Sequence, residues 1–214
     1  LAQREYWASS AGGGLQAPNR AHGFRTRFAE TGIRVESRSA PAANLVSMSL
    51  FGVGRGSAIA PAPKADAVVG QRDRIEIRRP GVVEWYVNAP NGLEQGFTLT
   101  APPPGDGALV IELAVSGGRP APRGDEIVFD ARGRQLRYGK LVAADATGRV
   151  LPARLVVASA ERVRIVVDDA GAVWPVVVDP LLESIADAQL ESDLDASSFG
   201  YSVSGAGDVN GDGY

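Results

Sequence analysis

The chain has 214 residues, 44% hydrophobic and 22% charged, with a formal net charge of −3 and no cysteine. That length suits one good core plus a remainder, and the composition is that of a folded chain rather than a disordered one. The charge offers no basic surface for a nucleic acid, no apolar run of about 18 residues spans a membrane, and the missing thiols exclude disulfides and thiolate metal sites. The chain opens at Leu1 without a charged-then-apolar leader and stops at Tyr214 inside a motif, so both ends are expected to be cut.

Residues 1–23 read as an N-terminal extension or edge segment, with a helical turn expected near residues 18–21 because Pro18 suits a first helical position. Phe24, Thr26 and Phe28 then alternate with Arg25 and Arg27, the period of a half-buried strand. Ile33, Val35 and Ser37 alternate again after a turn at Ala29-Glu30-Thr31-Gly32. Residues 56–70 are small and Pro-rich and read as an extended surface loop. Ile75 and Ile77 sit among Arg74, Glu76 and Arg78, and the runs at 82–87, 97–99 and 109–113 are rich in β-branched or aromatic residues. Pro90-Asn91-Gly92 is a hairpin signal, and the prolines at 102–104 make a stiff connector through residue 107. Asp130, Asp145 and Asp168 each open a four-residue turn closed by Gly133, Gly148 or Gly171. Val163, Ile165 and Val167 form a last alternating strand around Arg162 and Arg164.

Short strands separated by turns every ten or so residues predict an all-β, antiparallel sandwich-like domain over 24–182 rather than a βαβ fold. Its inner side is expected to gather Ile75, Ile77, Val83, Trp85, Leu99, Ile111, Val163, Ile165 and Val167, because a one-residue slip exposes a strand's whole apolar set. From Glu183 the composition turns acidic and Ser/Gly-rich, which marks 183–214 as a second unit, the truncated start of a propeller blade as argued next.

Asp208-Val209-Asn210-Gly211-Asp212-Gly213-Tyr214 fits the D-x-[DN]-x-[DN]-G loop that wraps calcium. Oxygen side chains at alternate positions supply hard ligands, Gly211 and Gly213 permit the sharp bend, and the Tyr214 carbonyl is the next donor. A metal-free Asx/Gly turn is the plain alternative. The loop follows Ser198-Phe199-Gly200-Tyr201-Ser202-Val203-Ser204-Gly205-Ala206-Gly207. Phe-Gly, a short alternating strand, a Gly-rich bend and this loop resemble an FG-GAP repeat, the blade unit of integrin-α-like β-propellers, with Ala188-Gln189-Leu190-Glu191-Ser192-Asp193 as its lead-in. The resemblance covers about residues 183–214. It implies a tandem array of blades, each with a calcium loop between strands. A dockerin, the competing scaffold, needs no Phe199-Gly200 strand upstream. The stretches 79–88, 92–97 and 172–180 are also similar to a bacterial β-rich domain that precedes such propellers in large exported proteins, which implies a secreted or cell-surface spacer or presentation module.

Catalytic residue types are scarce. His22 is the only histidine, no G-x-S-x-G elbow supplies a nucleophile, and Gly52-Val53-Gly54-Arg55-Gly56 is spaced wrongly for a phosphate loop. Glu84 and Glu94 have the chemistry of a glycosidase pair, but the reading preferred here has Glu84 pointing outward from a strand and Glu94 flanking a turn. Trp7, Trp85, Trp174 and Tyr86 are read as core before sugar platform. The sequence therefore points to a non-catalytic adhesion or interaction protein with a protein or glycan ligand. Two alternatives stand beside it, an accessory region of a larger secreted enzyme and a carbohydrate-binding module.

Overall fold

The computed structural model describes residues 2–12, 14–38 and 43–185. After a 3-10 turn at Ala2–Tyr6 these residues form strands and no α-helix. In chain order the strands are β1 Ser9–Ala11, β2 Gly14–Asn19, β3 Phe24–Ala29, β4 Gly32–Ser37, β5 Asn44–Arg55, β6 Ala58–Pro61, β7 Ala67–Gln71, β8 Arg74–Arg79 and β9 Val82–Ala89. They continue with β10 Gly92–Leu99, β11 Leu109–Ser116, β12 Arg119–Arg123, β13 Glu126–Ala131, β14 Arg134–Ala144, β15 Ala153–Ser159, β16 Arg162–Val167 and β17 Val176–Ser184.

Two antiparallel sheets result. One has the order β1-β2-β3-β4-β5-β11-β16-β15, with β6 added to the C-terminal half of β5, and the other β12-β13-β14-β17-β10-β9-β8-β7. Neither closes into a barrel, and their inner faces share one hydrophobic core, so the expected sandwich-like all-β architecture is present. Across that core Phe28 of the first sheet meets Tyr86 of the second edge-on, ring centres 5.2 Å apart. Of the expected inner residues, Ile75, Ile77, Leu99, Ile111, Val163, Ile165 and Val167 belong to it.

Strand β9 has the opposite parity. Val82, Glu84, Tyr86 and Asn88 face inward, and Val83, Trp85 and Val87 face outward. The cause lies in the two-residue turn Pro80 and Gly81, where Gly81 takes φ 78. That turn pairs Arg79 with Val82, and hence Ile77 with Glu84 and Ile75 with Tyr86. Directly opposed residues share a face, so burying Ile75 and Ile77 carries Glu84 and Tyr86 inside. The expectation of an outward Glu84 is thereby corrected.

Three smaller expectations also change. The stretch 56–70 is not a plain loop: it contributes β6 and the start of β7. Residues 18–21 form no helical turn, since Pro18 ends β2 with Asn19 and a turn follows at 20–23. Around Gly133 the hairpin turns on two residues only, Arg132 (φ 54) and Gly133 (φ 79), which is the twist-matched arrangement rather than a four-residue turn begun by Asp130. Asp145 does cap its turn, accepting hydrogen bonds from the backbone N–H groups of Thr147 (2.9 Å) and Arg149 (3.1 Å).

Candidate functional site

Asp208, Asn210, Asp212 and Tyr214, the expected calcium ligands, lie outside the described residues, as does the strand expected at 199–203. Among the described residues no group of three or more acidic or histidine side chains is arranged to hold a metal. No helix there is long and apolar enough to cross a membrane.

Glu84 and Glu94 lie on opposite faces of one sheet and cannot flank a common glycosidic bond. Glu84 is fully buried. Its Oε1 accepts hydrogen bonds from the Tyr86 hydroxyl and from Gln95 Nε2 (3.1 Å). Gln95 Oε1 in turn accepts from the Tyr138 hydroxyl (2.7 Å), linking β9, β10 and β14. The Arg79 guanidinium stands 3.5 Å from Oε2, which has no hydrogen-bond donor of its own. Burial raises the Glu84 carboxyl above its ordinary range, against the opposing pull of Tyr86, Arg79 and Gln95. Burial likewise pushes both tyrosines well up. Both tyrosines are thus neutral hydroxyls, and the network structures the core.

Glu94 sits within β10, on the outer face, paired with Val87 and Leu181. Its carboxyl lies near that of Asp179 of β17, whose Oδ1 is buried without a hydrogen-bond partner. Burial, then the neighbouring Glu94 carboxyl, push Asp179 up to about 7. Trp85 lies on this outer face beside Gly96, where a Cβ would overlap the indole. Its Nε1–H donates to Thr98 Oγ1 (3.2 Å), and Arg74 covers it at 4.6 Å from the ring centre. Only 8% of Trp85 is exposed, Tyr86 is in the core, and Trp174 packs against the core, so these three offer no open sugar platform.

His22 has a definite place at one end of the sandwich. It lies in the turn between β2 and β3, and its Nδ1 accepts the Ser184 N–H (3.0 Å) at the end of β17. Nδ1 must then be unprotonated, so Nε2 bears the hydrogen and donates to the Pro90 carbonyl (3.1 Å). Arg134 donates to the carbonyls of His22 and Gly23 (both 3.0 Å), and the Ile185 N–H bonds the Gln135 carbonyl (2.9 Å). The end of β17 is thus clasped by both sheets.

The same end carries a cavity of about 400 Å³ between the Ala2–Tyr6 turn, the β7–β8 turn and the β9–β10 turn. Trp7 forms one wall, with Arg4 and Arg72 guanidinium groups 5.4 and 5.9 Å from its ring centre. The floor is fixed by two buried asparagines. Asn88 Nδ2 donates to the carbonyls of Tyr6 (3.0 Å) and Pro18 (2.8 Å). Asn19 Nδ2 donates to Asn88 Oδ1 (2.9 Å) and the Ala89 carbonyl (2.8 Å). Sequence reasoning had passed over this place, because its parts come from four separated segments and only Trp7 carried a signal. No family model matches this chain, and no curated protein matches it either.

Proposed function

We propose that this chain is a non-catalytic, exported interaction protein, in which a β-sandwich module carries calcium-binding FG-GAP repeats beginning within 183–214. The observation that supports this reading is the course of β17. It is an inner strand, paired on both sides by β10 and β14, and its last residues are clasped by His22, Arg134 and Gln135. A segment bearing the FG-GAP and calcium-loop pattern therefore follows directly from one of the best-anchored strands. Oxygen side chains at Asp208, Asn210 and Asp212, with the Tyr214 carbonyl, suit calcium, but number fewer than the 6–8 oxygens it prefers.

Calorimetric calcium titration tests the reading. The 214-residue chain should bind weakly, and a version extended through several repeats should bind at least 10-fold more tightly. Asp208→Ala and Asp212→Ala should remove the first site. Tight binding by the 214-residue chain that survives both substitutions would exclude the assigned ligands, and no binding by the extended chain would exclude the repeat reading. Assays against ester, glycoside and peptide substrates should match buffer, and turnover lost in Glu84→Gln or His22→Ala would overturn the non-catalytic assignment.

A further inference from the structure

We propose that the cavity beside Trp7 is a binding site for a neutral sugar residue. Four observations converge on it. The cavity, at about 400 Å³, is of the size of small-ligand pockets, commonly about 300–1,000 Å³. Its wall is an indole over which the Arg4 and Arg72 guanidinium groups stand, and the apolar C–H face of a pyranose packs on such a ring by displacing one of these exposed side chains. Around the ring stand groups of both signs: Arg72 offers a fork of donors, while the Asp73 carboxylate offers acceptors and has no ion-pair or hydrogen-bond partner among the described residues. Glu5, 3.5 Å from Arg20, adds a second carboxylate to the lining.

That mixture decides between ligand classes. An anion would meet Asp73 and Glu5, and a cation would meet Arg4 and Arg72. A ligand that donates and accepts at once while remaining uncharged satisfies both sets, and a polyhydroxylated ring does this.

The backbone points the same way. Arg72 holds φ 58 in the β7–β8 turn, a left-handed conformation that glycine adopts freely and arginine at a cost. The Ala8 N–H bonds the Arg72 carbonyl (2.6 Å), and the Asn88 N–H bonds the Asp73 carbonyl (2.9 Å). The φ itself is that of a two-residue hairpin turn, as at Arg132. Its effect is to set the Arg72 guanidinium at the cavity, over a floor already locked by Asn19 and Asn88.

The inference is independent of the calcium reading, and the test separates the two. The 214-residue chain is titrated with methyl glucoside, galactoside and mannoside and with N-acetylglucosamine, followed by calorimetry and saturation-transfer NMR, once in EDTA and once in calcium. At least one sugar should bind with a Kd of about 1 mM, equally in both buffers. Trp7→Ala should weaken it at least 10-fold, and Asp73→Asn several-fold. Arg72→Gly is the discriminating variant, since it should weaken binding several-fold while leaving the melting temperature unchanged or raised. No response to any of the four sugars at ~100-fold that Kd, or binding that survives both Trp7→Ala and Arg72→Gly, would overturn the proposal. So would binding seen only with calcium and lost in Asp208→Ala, or inorganic phosphate occupying the site in place of sugar.

Discussion

Asp179 and Glu84 give this sandwich an unusual pH response. Asp179 is held up to about 7, first by burial and then by Glu94, and burial also raises Glu84. An unfolded carboxyl gives up its proton near 4. Between about 4 and 7 the folded chain therefore keeps protons that the unfolded chain has released, and stability falls as pH rises through that window. Asp145 acts in a lower window: its bond to Thr147 leads the effects that hold it well below the usual range, so it favours the fold above about 4 and loses that contribution on acidification. Urea midpoints should accordingly decline from about pH 4.5 to pH 7.5. Asp179→Asn should flatten most of that decline, and a flat wild-type profile would exclude the assignment. Glu84→Ala removes the acceptor for Tyr86 and Gln95 and leaves Arg79 buried beside a void. It should cost about 3–5 kcal/mol at neutral pH, whereas Glu84→Gln, which keeps the volume, should cost far less in the same denaturation experiment.

At the level of elements, most strands were legible from period and punctuation. Phe24 and Phe28, Ile75 and Ile77, and Val163, Ile165 and Val167 are buried as their alternation predicts. β9 was misread because both of its faces carry apolar residues, so hydrophobicity does not choose between Val83–Trp85–Val87 and Val82–Glu84–Tyr86. Pro80 and Gly81 do choose, as a two-residue turn signal that ties the parity of β9 to that of β8. The weak strands β6 and β7 escaped detection because β6 is mostly Ala and Pro, β7 has only Val68 and Val69 as strand formers, and their pairing comes from β5 and β8. Proline has a second use in β12, the edge of its sheet. Pro120 and Pro122 lie opposite Phe129 and Ile127, and neither has an N–H to offer to a further strand. Replacing both with valine should leave the fold intact and promote self-association, measured by light scattering at increasing concentration. An unchanged scattering profile would show that other features guard this edge.

For the molecule as a whole, the candidate site was the least legible part. The pocket joins Trp7, Arg72 and Pro90, which the sequence spaces far apart, and its floor depends on asparagines whose burial no period announces. Three turns brought together at one end of the sandwich assemble it. At that same end the Tyr6 carbonyl is held by Asn88, and Ile185 is held by Gln135. The first and last described segments of the sandwich are thus fastened at one end, and the far end, with the 102–107 connector and the Arg55–Asp169 ion pair (2.6 Å), is held without either of them.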